Sequence, residues 1–135
     1  MTETILSKIK AAFEEICPYQ IRILHERFPK TNDEPFILIN IESINTEKMQ
    51  AEDTRIRYPV SAIVSVKAVA PFKYGISELR RVAAAYIVPV MNNISLGMTG
   101  FSESSETDNI SEGTHTLEIK FRIKGVYTAY FKEEI

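Results

Sequence analysis

Helix-period and strand-period hydrophobic patterns succeed one another along this chain and predict an α+β domain. The expected architecture is an antiparallel or mixed sheet of about five strands flanked by two helices, in the order α-β-β-β-α-β-β. Two stretches, 5–16 and 79–90, carry apolar residues at helical spacing. Strict period-two alternation between Thr114 and Lys124 marks a strand. The length, 135 residues, suits a single domain over 1–135.

Ile5, Ile9, Phe13 and Ile16 set the stripe of the first helix, widened by Leu6 and Ala12. Thr2 or Thr4 is placed to cap it, and Pro18 forbids its continuation past Cys17. Tyr19 to Leu24 alternates as a strand, and residues 28–35 form a polar, proline-bracketed turn. Phe36 to Ile44 is rich in β-branched residues, with Ile37, Ile39 and Ile41 on one face and Leu38, Asn40 and Glu42 on the other. Asn45 to Thr54 is polar and reads as an exposed connection. Ile56 to Val69 returns as a long strand in which Pro59 marks an edge or a bulge.

Ser77 is placed to cap a second helix, whose stripe is Leu79, Val82, Ala83, Tyr86, Ile87 and Val90, with Pro89 kinking or tightening its last turn. Ile94 to Phe101 reads as a weak strand, and Ser102 to Gly113, acidic and rich in Ser, Thr and Asn, as a loop. In the final strand His115, Leu117, Ile119, Phe121 and Ile123 alternate with Glu118, Lys120, Arg122 and Lys124. Gly125 marks a bulge or bend before Val126 to Phe131.

Composition narrows the function. With 44% hydrophobic and 25% charged residues the chain reads as a soluble globular domain rather than a disordered or fibrous one. A net charge of −2 gives no global basic field for nucleic acid. One cysteine, Cys17, excludes an internal disulfide framework and fits a reducing compartment. No segment reads as a secretory leader or a membrane span, so no membrane partner is expected.

No catalytic constellation emerges. His25 and His115 lack a second metal ligand at short spacing, Cys17 reads as a small buried hydrophobe, and no phosphate-binding loop, nucleotide fingerprint or nucleophile elbow is present. The expectation is a non-enzyme with no metal and no cofactor. Two other features bear on function. Lys120, Arg122 and Lys124 form a basic row on one face of the last strand, while Glu103, Glu106, Asp108 and Glu112 crowd one segment without a Lys or Arg. This layout serves either solubility and edge protection or complementary surfaces on neighbouring copies. Unbroken, Ile56 to Val69 runs about 46 Å and Thr114 to Phe131 about 60 Å, whereas a domain of this size spans roughly 35–40 Å. Strands that outrun their domain either bend or project toward another subunit.

The element order, with a second helix of the type Glu78-Leu79-Arg80-Arg81-Val82-Ala83-Ala84-Ala85-Tyr86 and a final strand Leu117-Glu118-Ile119-Lys120-Phe121-Arg122-Ile123, resembles the tail terminator proteins of tailed bacteriophages, prophages and phage-tail-like bacteriocins. The resemblance covers nearly the whole chain and rests on element order, because that family has no short diagnostic motif. It implies three antiparallel strands after the first helix. It also implies a structural virion or tail protein, usually a hexameric ring, that caps the head-proximal end of the tail tube, stops tube polymerisation and presents a docking surface for the head or its connector. The implied partners are further copies of the chain, the tail tube protein, a head–tail connector and the sheath. DNA passes through the ring without specific binding, and the implied location is the virion or tail-like particle, after assembly in the bacterial host cytoplasm.

On that resemblance the polar segment Thr46 to Arg57, with Glu47, Lys48, Glu52, Asp53, Arg55 and Arg57, and the acidic segment Ser102 to Gly113 are expected to contact the tube protein or the next subunit. Lys120, Arg122 and Lys124 are expected at the ring interface. The alternatives are another head–tail connector component, or a small dimeric α+β module binding an apolar ligand in a pocket lined from the Val60 to Ala68 face.

Overall fold

Leu6, Ile9 and Phe13 fall on one side of the first helix, α1 (Thr2–Ile16), and are buried there, while Lys8, Glu14 and Glu15 remain exposed. The helix closes with the Cys17 N–H donating to the Phe13 carbonyl at 2.8 Å, and Pro18 supplies no N–H to extend it. The computed structural model describes residues 2–23, 34–46, 50–52, 55–93 and 98–130. Leu24, His25, Glu47, Lys48, Asp53 and most of the proline-bracketed turn lie outside those residues.

The strands are β1 (Gln20–Ile23), β2 (Phe36–Thr46), β3 (Gln50–Glu52), β4 (Arg55–Pro71), β5 (Met98–Asn109) and β6 (Thr114–Tyr130). They form one mixed sheet in the order β1-β2-β4-β6-β5, with β3 also paired to β4, and with the helices they make the α+β fold that the hydrophobic patterns predict. One pairing differs from the expected antiparallel run: β1 lies parallel to β2, with Ile21 opposite Ile37 and Ile23 opposite Ile39. A parallel pair needs about a dozen residues to return the chain to the starting end, and residues 24–35 supply that length.

The polar segment 45–54 is not a plain loop. β2 runs along β4 as far as Thr46↔Val60, and β3 continues in the same direction with Gln50↔Arg57 to Glu52↔Arg55. Pro59 falls between these two ladders, where its missing N–H costs no described pairing on that side. The acidic segment is likewise strand: β5 pairs with β6 from Asn109↔Thr114 to Met98↔Ile123, and only residues 110–113 turn. Cross-strand pairing to the strongly patterned β6 overrides a Ser- and Glu-rich composition of weak intrinsic β preference. Gly125 causes no bulge, since β4 and β6 pair without a register shift from Arg55↔Tyr130 to Pro71↔Thr114.

A bulge does occur in β2. Ile41 pairs with Val64 and Ser43 with Ile63, so Glu42 is the extra residue. It resets the alternation and brings Ile44 opposite Ala62, on the same face as Ile37, Ile39 and Ile41. That face of the sheet holds the core. Ile37, Ile39, Val64 and Val66 are fully buried, with Ala62, Ala68, Leu117, Phe121 and Ile123 around them. Burial of each large aliphatic side chain stabilises the fold by roughly 1.5–3 kcal/mol.

After a short 3-10 turn (Phe72–Tyr74), α2 (Gly75–Val82), a π-turn (Ala83–Ile87) and α3 (Val88–Asn93) join into one helix that closes the core. Gly75, at φ 74°, allows the chain to swing from the sheet into this helix. Ser77 lies within α2 rather than capping it; the helix starts at Gly75 without a side-chain cap. Pro89 acts one turn earlier than expected. Its ring crowds the carbonyl of Ala85, and the helix widens there into the π-turn, with the Val88 N–H reaching back to Ala83. The stripe Leu79, Val82, Ala83, Ile87 and Val90 is buried, with α2 against β4 and β6, and α1 packs on β1, β2 and α3.

Candidate interaction surfaces

The residues singled out for chemistry take structural places. Cys17 is half-buried behind α1, and burial raises its thiol pKa, away from a reactive thiolate. His115 lies at the end of β6 with its Nδ1 2.5 Å from Asp108 Oδ1 and its ring 4.7 Å from that of Phe72. Among the described residues no group of three or more His, Cys, Asp or Glu side chains could hold a metal, and no helix is long and apolar enough to cross a membrane. The face proposed for an apolar pocket is filled: Ala62, Val64, Val66 and Ala68 are at most 2% exposed beneath the helices.

Surfaces are better developed. β5 is the last strand of the sheet, and its residues Ser104–Asn109 are all exposed. The pleat splits the acidic cluster. Glu106 and Asp108 pair with Leu117 and His115 and so share the helix side. Glu103 pairs with Lys120 on the opposite side. Glu106 accepts two bonds from Arg80, at 2.7 and 2.9 Å, an arrangement that lowers the Glu106 pKa and raises that of Arg80. Glu112 is exposed in the turn after β5. Between β5 and the joined helix runs an open groove of about 500 Å³, floored by Leu117 and Ile119 and walled by Ala83, Ala84 and Val88. Among the described residues the outer edge of β5 has no partner strand, and such an edge beside a partly apolar groove is a surface that accepts an added strand.

Lys120, Arg122 and Lys124 do lie on one face of β6, the face away from the described helices, but β6 is an interior strand. The row therefore sits on the sheet's broad surface and not at a lateral edge. Nor is it a bare basic strip: Lys120 reaches across β4 to Glu42 at 3.0 Å. Nearby, Ser65, only 2% exposed, donates to Glu118 Oε2 at 2.6 Å, and Lys67 lies 3.7 Å from the same oxygen. Toward the β5–β6 turn this face hollows into an open trough of about 710 Å³ whose walls include Leu38, Val69, Thr107 and Thr116.

The third surface is an arm. At about 1.5 Å per residue the joined helix 75–93 is about 28 Å long. Returning from the Pro71 end, it can cover about nine strand residues, to the level of Ala62. β4 and β6 are each 17 residues long and remain paired well past that level, as far as Arg55↔Tyr130. By length alone, residues 55–60 and 125–130, flanked by β3, exceed the reach of the joined helix by about 20 Å. Glu52, Arg55 and Arg57 belong to this arm, with Glu52 opposite Arg55 in the ladder.

Sequence reasoning missed Val88, Ile110, Glu42 and Glu118. Val88 is 38% exposed and off the helical stripe, so an apolar residue in a solvent phase is the available signal. Ile110, at the tip of the β5–β6 turn, is 85% exposed. For Glu42 the signal is the three-residue step from Ile41 to Ile44 that interrupts the alternation. Glu118 has no signal beyond its place in a strand.

No model of a known protein family matches the chain, and no curated protein does. Among solved structures 29 chains match. One of them superposes with a TM-score of 0.54 at 15% identity, over 95% of this chain and 98% of the other. At that identity the likeness shows a shared fold.

Proposed function

We propose that this chain is a structural protein of a phage-type tail, a tail terminator that closes into a ring on the end of the tail tube. The carrying observation is the β4–β6 ladder, which is longer than the joined helix packed beside it. A paired ribbon about 20 Å longer than the joined helix can cover suits a subunit whose surfaces are completed by neighbours. The open edge of β5, with its groove, supports the same reading as a second surface on another side of the subunit. The ring ends tube growth by occupying the terminal tube surface, and its far side receives the head or connector.

Light scattering over a concentration series, with and without assembled tail tubes, tests the reading. Six copies of 15.4 kDa weigh about 92 kDa. A closed ring, formed alone or only on tube ends, is the expected result. A stable dimer indifferent to tubes overturns it.

A further inference from the structure

Edge strands of self-contained domains are blunted by Lys, Pro or bulges. Between Ser104 and Asn109 the outer edge of β5 carries none of these, and its register with β6 runs there without a break. Nor do its two acids guard it: Glu106 is drawn toward Arg80 and Asp108 toward His115. In an antiparallel edge strand alternate residues turn their N–H and C=O away from the paired neighbour, and among the described residues no strand meets those of β5. On the helix side of this edge lies the groove, with Ala84 and Val88 exposed along its wall. Short side chains, Ala83 and Ala84 on the helix and Ser104 on the strand, leave room there for larger ones from an added strand. Arg80 stands in the same wall. It bonds Glu106 through Nε and Nη2, and a guanidinium has five N–H donors, so it can take a second carboxylate.

A strand that fits this site presents large apolar side chains to the groove and a carboxylate to Arg80, all on one face. Beyond Tyr130 the sequence continues Phe131-Lys132-Glu133-Glu134-Ile135. At strand spacing Phe131, Glu133 and Ile135 share a face over about 13 Å. These residues do not reach the groove of their own chain. Tyr130 lies eleven residues past Ile119, about 36 Å by strand length, and five residues span at most about 18 Å. A second copy must therefore provide them. We propose that residues 131–135 of one copy pair, as an added strand, with the outer edge of β5 of the next. Phe131 and Ile135 enter the groove against Val88, Leu117 and Ile119, and Glu133 meets Arg80. The segment and the groove are different surfaces of the chain, so the contact is heterologous and can close a ring by rotation. The inference rests on the terminator reading for that ring and names the contact that joins its subunits.

The test is cross-linking between copies with a bismaleimide of about 8 Å span, long enough for a facing or a diagonal cross-strand pair. Two variants of the whole chain, both in a Cys17→Ala background and checked for melting temperature, are mixed at up to about 1 mM, with and without tail tubes. One carries Ser105→Cys and the other Glu134→Cys, on the opposite side of the segment from Phe131 and Ile135. Two chains of 15.4 kDa should give a mixed dimer of about 31 kDa. Adding Phe131→Ser and Ile135→Ser to the Glu134→Cys chain should cut that product by about tenfold or more. Arg80→Gln in the Ser105→Cys chain should cut it about threefold. Glu15→Cys on α1, in place of Ser105→Cys, should give none. The inference is overturned by a mixed product that survives the Phe131 and Ile135 changes, or by its absence in both settings. Ser105→Cys chains that link to one another more than to Glu134→Cys also overturn it, in favour of two β5 edges paired about a twofold axis. The two readings fail separately: rings on tube ends without the mixed product sink only this inference, and a mixed product from a chain that never caps tubes sinks only the terminator reading.

Discussion

Glu78 is the most strongly perturbed carboxylate described. It accepts from Tyr19 Oη at 2.8 Å and twice from Arg81, at 2.5 and 3.1 Å, and so ties the start of α2 to the segment between α1 and β1. The Arg81 and Tyr19 bonds hold its pKa down at about 2, against an ordinary 4.5. A carboxylate whose pKa is depressed by folding contributes stability that is present above its unfolded value and lost as pH falls toward the folded one. Glu78→Gln should therefore lower the melting temperature at neutral pH by roughly 3 °C, matching a pair worth about 1 kcal/mol. The difference should shrink between pH 4.5 and 2. A gap that stays constant across that window would show that the charge contributes nothing. The cluster was only half legible in the sequence. Glu78 and Arg81 stand three apart on one helix, but Tyr19 is 59 residues from Glu78 and joins them only through the fold.

At the scale of elements, periodicity located what packs and missed what pairs. Both helices were legible because each buries its own stripe, as Ile9 and Leu79 do without remaining exposure. Only the start of β5, Met98 to Phe101, falls in the expected strand, because Ser104 to Asn109 bury nothing and owe their conformation to ladder bonds with β6. The β2 bulge shows how finely register is set. Deleting Glu42 leaves Ile41, Ser43 and Ile44 in unbroken alternation opposite Val64, Ile63 and Ala62, so the variant should keep its fold and melt within about 3 °C of the parent. Deleting Asn40, two residues away, has no such escape. Either Ile37 and Ile39 turn out of the core, at roughly 1.5–3 kcal/mol each, or the bulge closes and Glu42 moves opposite Val64 inside it. Circular dichroism melts of the two deletions decide the matter. Equal losses would mean that the bulge is not what sets the phase of β2.

For the whole molecule the question is what the arm is for, and strand length, read from sequence as excess over the domain's span, was the earliest sign of it. Gly125 and Pro59 offer a way to bend, yet the ladder passes both without a register shift, so the two strands stay paired through the excess length. By register Ile56, Tyr58 and Val60 share a face with Tyr127 and Ala129, the continuation of the face that the helices cover higher up. If that face is completed by a neighbouring copy, its residues add little to the stability of a single chain and much to assembly. Tyr58→Ser with Tyr127→Ser, a cross-strand pair beyond the reach of the joined helix, should leave the monomer's melting temperature within about 3 °C of the parent and abolish the ring on tube ends. A double variant that melts much lower would place this pair in the chain's own core. One that keeps its stability and still closes into rings would leave β5 and its groove to hold the subunits together.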